Sequence, residues 1–499
     1  MGKIKCLAVL AVSLRLGIAF QTPSRPLSVL KSNLQCQASV PRFSSMLEYP
    51  NLNPRSSMTL RQMASMSSVE EKAIFKQEGY RRALHWVFKV GDLKKDLDFY
   101  EGLLGMHVHR HEEFASGCEA TCNGPYGGAW SKTMVGYGKE EENFALELTY
   151  NYGIDGYEKG NDLRYIAIKK SALEGKDPEA LGFKVTVDEI GREFVASPDG
   201  YKYMLVDTAY GSKEEPFLFV SIHVNDLEKS KEYYMNVLGA EPYSGVPGAL
   251  NQDKSIMMSF VKGTEASVKL ELVELPDGET VDHKLASGRF ATETEDGAPD
   301  KIGKIVKDAE GTVLHGPIKL QPHNEEVVIV EDPDGYEFCF VDARGYTNCM
   351  NVAYAEGGTF VDWNYREKLN AAAKKGGEEA KLEIAKLSAG DYDKESVTTM
   401  LQEMVQKPVV VFSQTSCPFC KKSKELLDSL GAKYEVVEID TLDENFAIRV
   451  ELNEMTGRNT VPNVFIGGKS VGGFSDGPGV QNLHNEGKLT DMLKEVGAL

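Results

Sequence analysis

Along the chain, hydrophobic residues recur with the period of a strand in some segments and of a helix in others. One combination, a strand followed by a helix, occurs twice with a similar sequence. Residues 85–90 and 219–224 alternate as strands do, and each is followed by Leu and Tyr residues at helical spacing. The helical stretches span residues 92–105 and 226–239, from an N-cap aspartate to a terminal glycine. Each copy later reaches a Pro-Asp-Gly turn and another strand. The repeat predicts two domains that mix strands with one-sided helices, which favours an α+β fold.

Pattern and composition together divide the chain into five segments. We expect a leader at residues 1–68, repeated domains at 80–210 and 216–345, a charged linker at 350–405 and a last domain at 406–499. The linker is rich in Ala, Lys and Glu and is broken by paired glycines, which predicts a mobile, partly helical connector. The last segment alternates strand and helix, as a small α/β domain does. The predicted fold class is therefore a multidomain mixture of α+β and α/β.

The bulk composition excludes some classes of partner. The chain has 499 residues and a formal net charge of -19, which disfavours nucleic acid and, once the leader is removed, anionic membrane surfaces. Its 41% hydrophobic and 26% charged residues are those of a globular protein. Eight cysteines in so long a chain are too few for a secreted disulfide framework.

The leader has the features of a targeting segment. Lys3 and Lys5 precede the apolar run 6–14, which is shorter than the roughly 20 residues that cross a bilayer. Up to residue 68 the chain is then rich in Ser, Pro, Met and Arg, with Glu48 as the only acidic residue. A signal-like run followed by an acid-poor stretch resembles a cleavable bipartite plastid presequence. We expect a disordered leader and a plastid location; another organelle or the cytoplasm is the alternative.

The strongest chemical motif lies near the C-terminus, where Cys417 and Cys420 flank Pro-Phe at the start of a predicted helix. A thiol at a helix N-terminus feels the positive end of the helix dipole. Lys421, Lys422 and Lys424 add positive charge nearby. Both effects favour the thiolate, which is the form that attacks disulfides.

The last domain resembles the dithiol glutaredoxins through Cys417–Cys420, Thr460–Pro462 and Val471–Asp476. The resemblance implies a thioredoxin-like fold in which Cys417 is the nucleophile, Cys420 resolves the mixed disulfide, and a cis-proline exposes the backbone of the preceding valine to glutathione. Many relatives have Lys where this chain has Gln414, and we expect Arg458 to compensate. The glutathione-binding residues that the resemblance implies are Gln414, Arg458, Thr460, Val461, Pro462, Gly472, Gly473, Ser475 and Asp476.

The repeated domains resemble tandem glyoxalase-like members of the vicinal oxygen chelate superfamily through residues 85–90, 122–136 and 147–153. The resemblance implies paired βαβββ modules around a cup, where true glyoxalase I holds a divalent metal with four side chains. In the first domain the four positions are His85, Glu147, Tyr165 and Met204, and in the second Phe219, Glu271, Arg289 and Cys339. Two family ligands, His85 and Glu147, therefore remain in the first domain.

Several interpretations stay open at this point. His85 and Glu147 are either a two-ligand metal site completed by other groups or a relic pair satisfied by hydrogen bonds. Arg289 and Glu271 either hold an anionic molecule or form an internal ion pair. The alternating histidines 107, 109 and 111 are expected on a solvated strand face. No second cysteine pair accompanies Cys118 and Cys122, so a zinc site is not expected there.

Three functional hypotheses follow. The first is an enzyme, a glutathione-dependent thiol–disulfide oxidoreductase that acts on glutathionylated proteins, with glutathione as cofactor and the glyoxalase-like domains degenerate. The second makes metal-dependent, lactoylglutathione lyase-type conversion of 2-oxoaldehyde–glutathione adducts the main activity. The third makes the glyoxalase-like domains a non-catalytic binding module that delivers the glutaredoxin to its targets. Bound metal in stoichiometric amount favours the second, and a metal-free cup that binds a partner favours the third.

Overall fold

The computed structural model describes residues 79–499 except 119, 251–252, 262–264, 266, 321–324, 356–360 and 416. The predicted leader, with its cleavage and its plastid address, lies outside the described residues. Within the described part of the chain, no helix has the length and apolar character that crossing a membrane requires.

Residues 81–342 form four modules of the βαβββ type, although the second has a short 3-10 helix, Lys170–Leu173, in place of the α-helix. The first is β1 (Arg81–Lys89), α1 (Leu93–Leu97), β2 (His107–Phe114), β3 (Trp130–Gly136) and β4 (Ala145–Asn151). The second has strands β5 (Leu163–Lys169), β6 (Thr186–Val187), β7 (Glu193–Ala196) and β8 (Lys202–Val206). The third is β9 (Phe217–Val224), α2 (Leu227–Asn236), β10 (Glu241–Tyr243), β11 (Ser255–Ser259) and β12 (Lys269–Glu274). The fourth is β13 (Arg289–Thr294), α3 (Ala298–Asp308), β14 (Thr312–Leu320), β15 (Glu325–Glu331) and β16 (Glu337–Asp342).

The modules pair into two eight-stranded sheets. The first sheet has the order β14-β15-β16-β13-β1-β4-β3-β2, and the second has the order β10-β11-β12-β9-β5-β8-β7-β6. Modules one and four thus share a sheet, joined by β1 and β13 with Trp86 opposite Phe290. Modules two and three share the other, joined by β5 and β9 with Ile166 opposite Val220. Each sheet therefore combines strands from both repeated segments.

Both helices of the repeat begin at the predicted aspartate, but the first is α-helical only over Leu93–Leu97 and continues as a π-helix over Asp98–Leu103. The carboxylate of Asp92 accepts a hydrogen bond from the backbone of Lys95 at 3.2 Å, and Asp226 does the same for Lys229 at 3.0 Å. Gly239, with a φ of 76°, follows α2 in the left-handed region that glycine favours. One hydrophobic core joins the two sheets, where the ring of Phe144 lies 5.4 Å from that of Phe217 and 6.1 Å from that of Phe290.

Residues 343–405, expected largely as a charged linker, form four helices. These are α4 (Ala343–Ala355), α5 (Trp363–Ala373), α6 (Gly377–Ala389) and α7 (Lys394–Val405). Leu369 of α5 and Ile384 of α6 belong to the core of the tandem modules. The expected helical character is present, but the segment is packed rather than a mobile connector, because Leu401 of α7 is likewise buried, in a core that it shares with Val410 of the last domain.

The last domain contains a four-stranded sheet of order β18-β17-β19-β20. Its strands are β17 (Val409–Ser413), β18 (Glu435–Glu438), β19 (Asn463–Ile466) and β20 (Lys469–Gly472). Its helices are α8 (Pro418–Ser429), α9 (Asn445–Thr456), α10 (Val480–Asn485) and α11 (Leu489–Glu495). β17 runs parallel to β18 and antiparallel to β19. This is the thioredoxin-like arrangement that the resemblance implies.

Candidate functional site

The two motif cysteines lie where strand β17 passes into helix α8. Cys417 is the N-cap of the helix, and its sulfur accepts a hydrogen bond from the backbone nitrogen of Cys420 at 3.2 Å. The same sulfur lies 3.8 Å from the carbonyl oxygen of Val461. Cys417 is partly exposed, whereas Cys420 is fully buried. Cys417 is therefore the cysteine that a substrate disulfide can reach.

Hydrogen bonds separate the acidities of the two thiols. The Cys420 thiol donates to the Cys417 sulfur and, with the backbone N–H groups of Cys420 and Phe419, lowers the pKa of Cys417 to about 6 despite partial burial. The same contact, together with burial, raises the pKa of Cys420. At neutral pH the exposed sulfur is a thiolate and the buried one keeps its proton, which are the states of an attacking and a resolving cysteine.

The positive charge beside the thiolate comes from Arg449 on α9, which the sequence reasoning missed. Its guanidinium donates to the side-chain oxygen of Gln414 at 2.8 Å and its charge further lowers the pKa of Cys417. Burial in turn lowers the pKa of Arg449. Gln414 thus holds the cation of Arg449 near Cys417, whereas the lysine of many relatives at this position is itself the cation. The available signal was weak, because an arginine within a helical stretch is most often a surface residue.

The peptide bond between Val461 and Pro462 is cis, as the resemblance implies. It places the Val461 carbonyl beside the Cys417 sulfur. Thr460, just before it, accepts a hydrogen bond from Arg458 at 3.4 Å. The backbone next to the nucleophile is therefore held in a defined conformation at the position where glutathione is expected to pair.

The remaining expected glutathione-binding residues lie in the turn after β20. Arg458 forms an ion pair with Asp476, and the Gly473 nitrogen donates to the Asp476 carbonyl at 3.0 Å. A Cβ atom at Gly473 would lie 2.1 Å from an Asp476 carboxylate oxygen, and one at Gly472 would lie 2.5 Å from the Asp476 carbonyl. Gly472, with a φ of 93° and a backbone neighbour, is therefore restricted to glycine, whereas a side chain at Gly473 would have to displace the Asp476 carboxylate. Ser475 is exposed beside them, and its carbonyl accepts from Asn482 at 2.9 Å.

The first cup lies in the sheet shared by modules one and four. Nε2 of His85 is 3.4 Å from Oε2 of Glu147, whose other oxygen accepts from Thr149 at 3.2 Å. The neighbouring cup positions are Arg289 and Cys339, which the sequence reasoning placed in the other domain. The strand register explains why residues of the two repeated segments share this cup, because Ala291 of β13 lies opposite both His85 and Cys339.

The side chains of the first cup do not make a four-ligand metal site. Burial lowers the pKa of His85 well below its usual value, with Arg110 and Lys132 adding to the effect, and burial raises the pKa of Glu147. Arg289 is a cation paired with Glu337, and burial raises the pKa of the Cys339 thiol to about 12. Within the described ranges, no three His, Cys, Asp or Glu side chains are grouped to hold a metal ion.

The second cup is filled by hydrophobic side chains. Tyr165, Met204 and Phe219 belong to one buried cluster. Glu271 accepts hydrogen bonds from the Tyr165 hydroxyl at 3.2 Å and from Arg164 at 3.3 Å. Glu271 and Arg289 therefore lie in different sheets and form neither the anion site nor the ion pair that the sequence reasoning considered.

Two of the three histidines of β2 depart from expectation, since His109 and His111 are buried rather than solvated, whereas His107 is exposed. The register of β2 shifts between Val108 and Arg110, and α4 covers this end of the strand with the Cys349 sulfur 3.7 Å from Arg110. Burial lowers the pKa of His109 to about 4. His109 and His111 are therefore part of the protein interior.

Three protein-family models match the chain in separate regions. The Glyoxalase/Bleomycin resistance protein/Dioxygenase superfamily matches residues 82–202. The C-terminal domain of glyoxalase domain-containing protein 4-like proteins matches residues 226–349. Glutaredoxin matches residues 409–471.

Curated relatives match two separate parts of the chain. "Glyoxalase 1" of Caenorhabditis elegans is 40% identical over 268 residues, which are 53% of this chain and 89% of the relative. Glyoxalase domain-containing protein 4 of Rattus norvegicus is 38% identical over 269 residues, 53% of this chain and 87% of the relative. A glutaredoxin of Ricinus communis is 49% identical over 102 residues, 20% of this chain and 97% of the relative.

The order of the modules, the two cups and the dithiol site all agree with these matches. The glutaredoxin domain carries the residues of a thiol–disulfide oxidoreductase. The chain belongs to the glyoxalase family that includes glyoxalase domain-containing protein 4, and it carries a glutaredoxin domain at its C-terminal end.

Proposed function

We propose that the protein is a glutathione-dependent thiol–disulfide oxidoreductase that removes glutathione from glutathionylated proteins. The observation that carries this proposal is the state of Cys417, a partly exposed N-cap thiol with a pKa of about 6 beside a cis-proline. A thiolate at neutral pH that remains accessible is what attack on a mixed disulfide needs. Glutathione is the expected cofactor and thiol donor.

The chemistry proceeds by two exchanges. The Cys417 thiolate attacks the glutathione sulfur of the mixed disulfide, so the protein thiolate leaves and Cys417 carries glutathione. A second glutathione attacks the glutathione sulfur of this new disulfide, which forms oxidised glutathione and regenerates the Cys417 thiolate. Alternatively, Cys420 after loss of its proton attacks the Cys417 sulfur, releases glutathione and leaves a Cys417–Cys420 disulfide, which two glutathione molecules then reduce. The Cys420 route begins from the buried thiol that already touches the Cys417 sulfur. The exposed backbone of Val461 and the turn around Gly473 are the surfaces where we expect glutathione to lie.

For the tandem modules we propose a binding role without metal catalysis. Two cup residues that match family ligands, His85 and Glu147, stand beside the cation of Arg289 and the protonated thiol of Cys339. A cation in a ligand position repels a divalent metal rather than binding it. The rival function is metal-dependent isomerisation of the methylglyoxal–glutathione hemithioacetal.

The test of the main proposal is the turnover of a glutathionylated peptide by the full-length protein with glutathione and glutathione reductase. We expect Cys417→Ser to abolish turnover and Cys420→Ser to retain part of it, because glutathione can resolve the intermediate. Ser429→Ala, at the exposed far end of the same helix, is the matched control. Equal turnover by Cys417→Ser and the unaltered protein would refute the proposal.

The rival is tested with metal-loaded and chelated full-length protein in parallel. We expect no isomerisation of the hemithioacetal in either sample. Metal-dependent isomerisation that disappears in His85→Ala would establish the rival activity and overturn the binding role.

We also propose a plastid location, from the acid-poor composition of the leader. A fluorescent protein fused after residue 68 should enter plastids, and a diffuse cytoplasmic signal would contradict this proposal.

A further inference from the structure

A cysteine pair outside the glutaredoxin site lies in the loop between β2 and β3. Cys118 and Cys122 form a disulfide, with their Cα atoms 5.5 Å apart, and both are partly exposed. The remaining cysteines of the tandem modules are different, since burial raises the pKa of the Cys339 and Cys349 thiols to about 12. Among the described cysteines of these modules, the loop pair alone combines exposure with a partner at bonding distance.

The loop that the disulfide closes contacts the wall of the first cup. The guanidinium of Arg289 donates to the carbonyl of Ala120 at 3.1 Å and to the hydroxyl of Thr121 at 3.3 Å. Arg289 is 8% exposed, and its charge acts on Glu147 inside the cup. The two residues that hold this arginine therefore lie between the two cysteines.

The backbone of the loop is held in a conformation that its sequence disfavours. Thr121 has a φ of 51°, in the left-handed region that a β-branched residue rarely occupies. Such a conformation persists where the surroundings impose it. The bond between Cys118 and Cys122 is a local constraint of this kind, so its cleavage allows the loop to relax.

We propose that Cys118–Cys122 is a redox-active disulfide that exchanges with glutathione, and that it is a substrate of the glutaredoxin domain of this chain. The catalysed part of the proposal rests on the proposed function of that domain; the redox site itself does not. An exposed disulfide in a strained loop is of the labile kind rather than the structural kind. The attacking thiolate can be Cys417 of the same molecule or of a second copy of the protein.

The exchange balances with glutathione as the only reductant. The Cys417 thiolate attacks one sulfur of the Cys118–Cys122 bond; that bond breaks, a mixed disulfide forms, and the released thiolate takes a proton from water. Cys420, after losing its proton, attacks the Cys417 sulfur, releases the second loop thiolate and leaves a Cys417–Cys420 disulfide. Two glutathione molecules reduce this disulfide and become oxidised glutathione. The net change transfers two electrons from glutathione to the loop pair, and oxidised glutathione drives the reverse.

The consequence concerns the first cup. While the disulfide is closed, the loop supplies two acceptors to Arg289. Once it opens, Thr121 can leave the left-handed region, and Arg289 retains Glu337 as its ion-pair partner. Reduction thus changes what surrounds the cation of the cup without breaking the sheet.

The experiment follows the redox state of the pair in full-length protein. Protein oxidised with oxidised glutathione is mixed with reduced glutathione, sampled over time, alkylated under native conditions and analysed by peptide mass spectrometry. Cys417→Ser is run in parallel, and every sample is assayed for reduction of a small glutathione mixed disulfide. Cys349, which is buried, is the internal control, because its alkylation reports unfolding. Cys122→Ser confirms that the signal arises from this pair.

We expect the pair to be reduced at least about tenfold faster in the unaltered protein than in Cys417→Ser. If the small mixed disulfide is reduced but the pair reacts equally slowly in both proteins, the pair is not a substrate and the proposal fails while the proposed function stands. If the small mixed disulfide is not reduced, the proposed function and the catalysed exchange fail together. A pair that never oxidises, or never responds to excess glutathione, would overturn the redox site itself.

Discussion

At the scale of single residues, the reactivity of Cys417 depends on groups from separate parts of the chain. The helix that it caps supplies backbone N–H groups, Cys420 supplies a thiol donor, and Arg449 supplies a positive charge from α9. Gln414 connects the last of these to the motif by a hydrogen bond of 2.8 Å. The thiolate is stabilised by several modest interactions, each of which can be removed alone.

The contribution of Arg449 is testable by substitution. We expect Arg449→Gln to raise the pKa of Cys417 by about half a unit to one unit, because a nearby positive charge favours the thiolate. The rate of deglutathionylation near pH 6 should then fall about two- to fivefold. It should recover at about pH 8, where Cys417 is mostly ionised both in the variant and in the unaltered protein. Lys488→Gln, an exposed charge of the same domain, is the control. An unchanged pH profile would show that Arg449 does not act on the thiol.

The dithiol site was largely predictable because its motif is local. Cys417 and Cys420 follow from a short segment whose chemistry depends on immediate neighbours, and the cis bond before Pro462 was implied by the resemblance to glutaredoxins. Arg449 was not predictable, since its approach to Gln414 depends on how α9 packs in the tertiary structure. Local motifs therefore identify the reacting atoms, whereas the groups that adjust their acidity come from the fold.

A second residue-scale prediction concerns Asp96 in α1, which is fully buried. Burial, together with the nearby carboxylate of Asp199, raises the pKa of Asp96 to about 9. The folded state therefore keeps a proton that the unfolded state loses above about pH 4, so stability falls as pH rises from about 4 to 9. Asp96→Asn keeps a neutral side chain of the same size and removes this dependence. We expect a gain on the order of 2 kcal/mol at pH 7 and little change near pH 4, measured by thermal unfolding.

Asp98→Asn, which changes the adjacent exposed carboxylate, is the control for that comparison. Equal effects of the two substitutions at pH 7 would contradict the account of Asp96.

At the scale of elements, α5 is fixed to the first module by a buried cation. Arg366 is 5% exposed and donates to Glu113 at 2.8 Å and to Ser131 at 2.6 Å. Its guanidinium also lies 4.9 Å from the ring centre of Tyr150 and 5.0 Å from that of Tyr152. The helix is therefore docked by one side chain that combines an ion pair with aromatic contacts.

Removal of that side chain should destabilise the tandem modules. We expect Arg366→Ala to cost about 3 kcal/mol, because it leaves Glu113 without its cation and opens the aromatic contacts. Lys368→Ala, an exposed position of the same helix, should change stability by less than about 0.5 kcal/mol. Thermal unfolding of the full-length protein measures both. Similar effects of the two substitutions would show that α5 is not docked through Arg366.

The burial of an element was harder to predict from the sequence where its charged or polar residues are buried in the structure. The linker prediction for residues 350–405 relied on charged composition, yet Arg366 is buried among aromatic rings and Ile384 packs in the core. The histidines of β2 were expected to face solvent, but a register shift and the packing of α4 bury two of them. In both cases a neighbour distant in sequence decides the burial.

At the scale of the whole molecule, the two repeated segments and the glutaredoxin domain are connected through α5 and α6. The repeat indicated two domains and the resemblance implied paired modules, but which modules share a sheet is decided by the pairing of β1 with β13 and of β5 with β9. On the other side, the Asn459 side chain approaches the carbonyl of Glu378 in α6 at 3.5 Å, and Tyr392 donates to the buried Glu451 of α9 at 2.6 Å. The contacts fall outside the dithiol site.

Because the first cup and the dithiol use different residues, we expect their perturbations to be independent. His85→Ala should leave turnover of a glutathionylated peptide within about twofold of the unaltered protein. The measurement is steady-state turnover of the full-length protein. A loss comparable to that of Cys417→Ser would contradict this independence and would show that the cup takes part in the reaction.

The most direct test of the account is the pH dependence of the rate at which Cys417 is alkylated in the full-length protein, followed by mass spectrometry of its peptide. The account predicts a midpoint near pH 6, since the hydrogen bond from Cys420, the helix N–H groups and Arg449 favour the thiolate. Alkylation should increase through that midpoint and then level off. A midpoint in the ordinary thiol range of about 8–9 would contradict the assignment of Cys417 as an activated nucleophile.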